Sequence, residues 1–150
     1  MKYAHESYTN IKDEIKPLLE EHYAEIALDQ DVIKLNPDWD AYAQYDSMHA
    51  LRCYTARNDD GELVGYFVLL VSTSLHYKDH LFASNDVIFL RKDARKGLTG
   101  VKLIKYAVKC LKREGVTRIN INTKTHQPFD VIVERLGFEF IERVYSIVLR

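Results

Sequence analysis

The sequence is poor in residues that cross-link, break or interrupt a folded chain, with two cysteines, three prolines and six glycines among 150 residues. Cys53 and Cys110 lie far apart and belong to no recognisable pair motif. This argues against a disulfide framework and predicts a reduced, cytoplasmic protein. Because prolines and glycines are so few, no segment has the composition of a linker between domains. We therefore expect one domain over residues 1–150, a length that can bury a sizeable core.

Long apolar runs and an excess of one charge are also missing. The longest apolar run, residues 64–71, is interrupted by Gly65 and is far too short to span a bilayer. The N-terminus lacks the apolar stretch of a secretory signal. The formal net charge is -1, so no overall field favours nucleic acid or an anionic membrane surface. We expect neither as a partner.

The spacing of apolar residues predicts an α/β fold. Apolar residues at intervals of three and four predict helices, and shorter apolar or alternating runs between turn residues predict strands. Their order, ααβββαβαβ, calls for a mixed, mostly antiparallel sheet flanked by helices. The predicted helices cover residues 11–26, 39–50, 101–111 and 128–136. The predicted strands cover residues 51–57, 62–72, 82–90, 116–123 and 138–149, the last as one long strand or two.

The most informative segment is the basic, glycine-containing turn between the strand 82–90 and the helix that follows it. A helix start leaves backbone N–H groups without partners and places partial positive charge there. Gly97 and Gly100 allow the main chain to approach a phosphate, while Arg95 and Lys96 add full charge. The turn therefore predicts a site for a phosphate-bearing cofactor, and a purely structural turn is the alternative.

This turn and the element order resemble the GCN5-related N-acetyltransferase superfamily over nearly the whole chain. The superfamily has a pyrophosphate loop with the pattern Gln/Arg-x-x-Gly-x-Gly/Ala, and its last helix often ends in Leu-Gly-Phe, here residues 136–138. In the register that we prefer, Arg95 is first, Leu98 replaces the middle glycine and Gly100 is last. A second register instead places Gly97 in the middle.

The resemblance implies that acetyl-CoA is a co-substrate and that its acetyl group is transferred to the amine of a small molecule or a protein. In the superfamily, main-chain N–H groups of the fourth strand bind the pantetheine arm and polarise the thioester. A polar residue, often asparagine, precedes the last helix, and His126 takes its place here. The residues implied in cofactor binding are Ile88, Phe89, Leu90, Arg95, Lys96, Gly97, Leu98, Thr99, Gly100 and His126.

Acetyl transfer to an amine also requires proton acceptors and donors. Asp86, just before the strand residues that would bind pantetheine, is the candidate base, although a solvated carboxylate at a strand edge explains it equally well. The tyrosine that often serves as acid in the superfamily is replaced by Val133. We therefore expect Tyr145 to act as the acid, since the last strands border the cofactor in this fold; a half-buried structural tyrosine is the alternative.

An acidic and aromatic segment, residues 29–46, lies where related proteins shape their acceptor pocket. Its aspartates and the rings of Trp39, Tyr42 and Tyr45 would favour a cationic amine, although helix caps and an amphipathic face explain the same residues. His76 and His80 lack a third ligand at useful spacing, so no metal site is expected.

Two further possibilities remain open at this point. Val133 and the irregular glycine loop are also compatible with a catalytically inactive module that keeps the fold for binding or structure, for example a phage protein that contacts its host. The final strand, if its edge is open, can pair between subunits, so that a homodimer is possible.

Overall fold

The centre of the molecule is a five-stranded sheet in which the strands lie side by side in chain order. In this computed structural model, which describes residues 1–150, strands β1 to β4 are antiparallel and β5 is parallel to β4. The predicted class, a mixed and mostly antiparallel sheet between helices, is confirmed. The strands are β1 (Lys2–Glu6), β2 (Leu51–Arg57), β3 (Leu63–Thr73), β4 (Leu81–Leu90) and β5 (Val116–Asn120).

Helices cover both faces of the sheet. One hydrophobic cluster joins the first two helices to one face, and a second cluster joins the last two to the other. β3 contributes to both clusters, which explains its nearly continuous apolar sequence. No helix combines the length and the apolar character needed to cross a membrane. The helices are α1 (Tyr8–Ile26), α2 (Trp39–Ser47), α3 (Thr99–Arg113) and α4 (Asp130–Arg135).

The two ends of the chain differ from the prediction. β1 was not expected, because five mostly polar residues carry no strand pattern of their own; it forms by pairing with β2. The strand predicted over residues 138–149 is wrong, since the segment has no regular structure. The order is therefore βααβββαβα. Most apolar side chains of the segment are exposed: Phe140, Ile141, Val144, Tyr145, Ile147 and Leu149.

β4 consists of two halves that differ in their neighbours. Residues 81–84, the paired half, lie between β3 and β5, and the pairing with β5 ends at Ser84 opposite Asn120. Residues 85–90, the open half, keep only β3. Between the halves, the partners of β4 pass from Asn85 to Val87, so that Asp86 is the extra residue of a β-bulge. β5 pairs with no residue of the open half, and the edge of β4 that is left without a strand partner is called the cleft below.

Candidate active site

Some backbone N–H and C=O groups of the open half have no partner in a neighbouring strand and face the cleft. The N–H of Arg91 donates to the carbonyl of Val64 at 2.8 Å. Because hydrogen-bonded pairs alternate along an antiparallel ladder, Phe89 also directs its backbone groups toward β3. Ile88 and Leu90 alternate with these residues and direct their backbone groups away from β3, where the carbonyl of Leu90 accepts a hydrogen bond from Arg95 Nε–H. Of the three strand residues implied in cofactor binding, two therefore offer backbone groups to a ligand in the cleft.

The glycine-containing turn lies directly after the open half. Gly97 has a φ of 57°, a left-handed conformation that glycine adopts without strain, and Leu98 is the N-cap of α3. The N–H groups of Gly97, Leu98, Gly100 and Val101 make no hydrogen bond within the chain. Four unpaired donors at a helix start are the arrangement that binds an anion. The predicted turn and helix start are thus present, with Thr99 as the first helical residue.

The two basic side chains of the turn have different surroundings. Lys96 is exposed and forms no ion pair. The guanidinium of Arg95 binds Glu25 through two hydrogen bonds of 2.7 and 2.9 Å, and its Nε–H donates to the carbonyl of Leu90 at 2.6 Å. It also lies 5.3 Å from the centre of the Phe89 ring. Three of its five N–H donors therefore have partners in the protein.

The last turn of α1 approaches both sides of the cleft. Glu25 contacts the β4–α3 turn through Arg95, while the carbonyl of Ile26 accepts a hydrogen bond of 2.8 Å from Nε2 of His126, which lies between β5 and α4. His126, which the resemblance placed beside pantetheine, is thus bound to the end of α1. Neither residue was singled out as a site residue by the sequence, because their partners lie far away along the chain.

His22 is a partly buried site residue that no pattern in the sequence singles out. Its ring stacks on Phe89 with centroids 4.8 Å apart, and Nδ1 is hydrogen-bonded to the hydroxyl of Tyr66 at 3.0 Å. Burial, together with the positive charges of Arg95 and Lys124, lowers the pKa of His22 from 6.5 to about 4, against the opposing effect of Glu25. The imidazole is therefore neutral at pH 7.

Asp86 and α2 form a second part of the site. The bulge presents the carboxylate of Asp86 to α2, where it accepts a hydrogen bond from the hydroxyl of Tyr42. Burial and this carboxylate raise the pKa of Tyr42, so its hydroxyl stays protonated and donates. The Tyr42 ring stacks on Tyr8, 5.8 Å away, and an apolar cavity lined also by Trp39 and Val87 lies behind it.

The candidate acid and its usual position lie outside this arrangement. Tyr145 is 85% exposed in the irregular C-terminal segment, so the structure does not bring it to Asp86 or to the glycine turn. Val133 is 8% exposed and packs in the core with residues of α3. The position that often carries the acid therefore holds a core side chain here.

The acidic segment is only partly available to a substrate. Asp38 caps α2, since its carboxylate accepts a hydrogen bond of 2.9 Å from the N–H of Ala41, as predicted. Asp29 and Asp31 lie near Arg150, with the shorter distance 3.1 Å. Asp86 and the aromatic residues of α2 therefore remain the main polar and aromatic groups beside the open half.

Comparison with known proteins adds structural neighbours. No protein-family model and no curated protein matches the sequence. A ribosomal-protein-alanine N-acetyltransferase from Brucella melitensis is 19% identical with a TM-score of 0.67, over 100% of this chain and 99% of that one. An aminoglycoside acetyltransferase from an uncultured soil metagenomic sample, in complex with sisomicin, is 12% identical with a TM-score of 0.74, over 99% and 96%.

A third neighbour is a predicted acetyltransferase from Clostridium acetobutylicum with acetyl-CoA, 10% identical with a TM-score of 0.71, over 98% of this chain and 95% of that one. Identities this low establish a shared fold rather than a shared activity. In all three cases the likeness extends over nearly the full length of both chains. The chain therefore has the fold of the GCN5-related N-acetyltransferase superfamily, as the motifs in its sequence implied.

Proposed function

We propose that this protein transfers an acetyl group from acetyl-CoA to the amine of a small molecule or a protein. The observation that carries the proposal is the set of four unpaired N–H groups, from Gly97 to Val101, at the end of the cleft beside β4. A pyrophosphate needs donors of this kind, and the unpaired backbone edge of β4 next to them suits the pantetheine arm. The acetyltransferase neighbours support the same reaction.

The cofactor-binding residues have distinct roles in this proposal. The backbone of the turn binds the pyrophosphate, and Lys96 adds a mobile positive charge. Backbone groups of Ile88 and Leu90 bind the pantetheine arm and polarise the thioester carbonyl. In the transition state, charge develops on that carbonyl oxygen, where a fixed N–H donor is most effective. His126 contributes by its contact with the end of α1.

Asp86 is the proposed base. A free lysine amine has a pKa of about 10.4, so the acceptor must lose a proton before its nitrogen attacks the thioester carbon. Asp86 accepts that proton through a water molecule, and Tyr42 holds the carboxylate in place. As the new C–N bond forms, the nitrogen releases its second excess proton to water; the C–S bond then breaks, and the thiolate of CoA takes up a proton. We propose Tyr145 as that proton donor only when the C-terminal segment lies against β5.

The acceptor in this proposal is a cationic amine. Asp86 offers a carboxylate beside the open half, and the ring of Tyr42 lies next to it. Charge and cation–π attraction both favour an ammonium group in such surroundings. The two cysteines are free thiols, which is compatible with action in the cytoplasm.

A non-catalytic module is the second candidate function. The observation that favours it is the burial of Val133 together with the exposure of Tyr145, because no tyrosine of the chain then occupies the usual position of the acid. Such a module would bind acetyl-CoA without turnover. Thiol release therefore separates the two candidates.

We propose that a second copy of the chain covers the C-terminal segment 138–149. The segment exposes six large apolar side chains, and β5 is an edge strand with no neighbour beyond it. Pairing the segment of one copy with β5 of another would cover the exposed apolar side chains and give the backbone groups at the β5 edge hydrogen-bond partners. Analytical ultracentrifugation should show a dimer that becomes monomeric when residues 138–150 are removed; a monomeric full chain contradicts this proposal.

Acetyl-CoA binding tests the cofactor site directly. Gly100 has open space around it, since a Cβ at this position would come no closer than 4.0 Å to Leu90 Cδ2. Gly100→Asp should therefore fold, yet it places a carboxylate beside the unpaired N–H groups. In isothermal titration we expect micromolar binding by the wild type, retention in Gly100→Ala and loss in Gly100→Asp. If the wild type does not bind acetyl-CoA, the proposed enzyme is excluded.

Thiol release then tests catalysis. Wild-type protein is mixed with acetyl-CoA and a panel of amines, cationic polyamines and aminoglycosides among them, and free CoA is measured. Amine-dependent release supports the acetyltransferase. Binding of acetyl-CoA without release for any amine supports the non-catalytic module instead.

A further inference from the structure

Glu25 has a position that helix formation does not explain. It lies in the last turn of α1, where the backbone carbonyls carry partial negative charge and a carboxylate is unfavourable. No basic residue occupies that turn to compensate. A residue that violates a local rule often has a role elsewhere in the fold. The partner of Glu25 is Arg95, 70 positions later in the chain.

The contact between these two residues has a specific geometry. Both oxygens of Glu25 bind the two terminal nitrogens of Arg95, at 2.7 and 2.9 Å, and the Glu25 side chain is only 18% exposed. Nε of Arg95 donates to the carbonyl of Leu90, and the guanidinium lies on the Phe89 ring. The side chain of Arg95 therefore connects α1, the end of β4 and the turn that contains its own backbone.

We infer that Glu25 is a positioning residue for the anion-binding turn: its ion pair fixes Arg95, and Arg95 thereby fixes the unpaired N–H groups of the turn relative to the end of β4. This inference rests on the proposed binding of acetyl-CoA. It gives Arg95 an indirect role, through the main chain, rather than that of a charge in contact with phosphate. Bidentate geometry suits this role, since it restricts orientation as well as distance.

The indirect role and a direct phosphate contact predict opposite effects for Glu25→Gln. If Arg95 bound the phosphate itself, removing Glu25 would release its guanidinium and eliminate a nearby negative charge, so acetyl-CoA would bind more tightly. If Glu25 positions the turn, the same substitution loosens the turn and binding weakens. Glu20→Gln is a matched control, because Glu20 is an exposed glutamate of the same helix without an ion pair.

Steady-state kinetics with two thioesters separate positioning from general damage. Acetyl-CoA contains the pyrophosphate, and S-acetylpantetheine lacks it. For Glu25→Gln we expect the KM for acetyl-CoA to rise about fivefold, with kcat and the KM for S-acetylpantetheine unchanged. Glu25→Asp should restore part of the affinity. An unchanged or lower KM for acetyl-CoA overturns the inference, and so does an equal loss with both thioesters.

A measurement without ligand makes this test independent of the proposed function. The N–H groups of Ala94, Arg95 and Lys96 are hydrogen-bonded within the turn. In the free protein we expect their hydrogen exchange to be about fivefold faster in Glu25→Gln than in the wild type or Glu20→Gln. Unchanged exchange overturns the inference even if wild-type protein fails to bind acetyl-CoA, a failure that would refute the proposed function separately.

Discussion

The two halves of β4 differ in how many neighbouring strands use their backbone groups. The paired half lies between two strands, and Ala83 at its centre is fully buried. The open half has β3 on one side and the cleft on the other, and it carries Asp86, the backbone groups of Ile88 and Leu90, and the ring on which His22 stacks. Strand pairing uses backbone N–H and C=O groups, so a site built from those groups must begin where pairing ends.

The largest effect should come from a charge in the paired half. Ala83→Asp would place a carboxylate without a partner in the core, and we expect the free energy of unfolding to fall by about 3–5 kcal/mol. Urea denaturation followed by circular dichroism measures the loss. Ser84→Asp is the matched control, because Ser84 is exposed in the same half, and its cost should stay below about 1 kcal/mol. Comparable losses in both variants would mean that the two positions are not buried differently.

Asp86→Asn tests the chemistry of the open half. The amide keeps the shape of the side chain and can still bond Tyr42, but it is no longer a base. We expect kcat to fall about 100-fold, while the thermal midpoint and the affinity for acetyl-CoA stay near wild-type values. Turnover at the wild-type rate would show that Asp86 is only a solvated carboxylate at the bulge.

His22 should make stability depend on pH. Its pKa falls from 6.5 in the unfolded chain to about 4 in the fold. Between these values the unfolded chain binds a proton that the folded chain does not bind, so stability is complete above pH 6.5 and is lost as the pH falls toward 4. By pH 5 the loss should be at most about 2 kcal/mol.

Two variants isolate this contribution. Urea denaturation at pH 7 and pH 5 should show a smaller loss of stability for His22→Gln than for the wild type. His76→Gln removes an exposed histidine, and its loss of stability between pH 7 and pH 5 should equal that of the wild type. Equal pH dependence in all three proteins would mean that the His22 ring is accessible to protons in the fold.

The smallest expected effect concerns the close contact between Gly65 and Leu90 at the end of the open half. Gly65 is paired with Leu90, and a Cβ there would lie 2.5 Å from Leu90 Cδ1 and 3.1 Å from the carbonyl oxygen of Phe89. We expect Gly65→Ala to cost about 1 kcal/mol by overpacking. Denaturation should show a lower cost in a Leu90→Ala background, where the colliding methyl group is gone. A cost that is the same in both backgrounds would assign the effect to the backbone contact alone.

The sequence predicted those parts of the fold whose pattern is local. The amphipathic helices, the Asp60-Gly61 turn, with Gly61 at a φ of 84°, and the apolar β3 all follow from residue spacing. β1 did not, because its strand character comes from pairing with β2. Residues 138–149 have a composition that favours a strand, yet a strand also needs a neighbour to bond with, and this segment pairs with no strand of the chain.

The candidate site was predictable only where it rests on a motif. The glycine turn was visible because its residues are ordered along the chain, whereas Glu25 and His22 reach the same place from α1 through tertiary packing. His126 was found by counting from Leu-Gly-Phe, but its partner, the carbonyl of Ile26, was not. Contacts between residues this far apart in the chain produce no regular pattern in the sequence that would reveal them.

The bulge at Asp86 also reverses the parity of β4. Odd-numbered Leu81 and Ala83 pack with the α3 side, but beyond the bulge it is even-numbered Ile88 and Leu90 that do so, while Phe89 packs with α1. Deleting Asp86 alone would restore one parity along the strand and leave Phe89 on the α1 side, but it would remove the carboxylate that Tyr42 binds. A point substitution on the α1 side of the open half leaves the pairing of β4 and the facing of its residues unchanged. The side chains on that side, where the acceptor is proposed to bind, can therefore vary without a change in the strand.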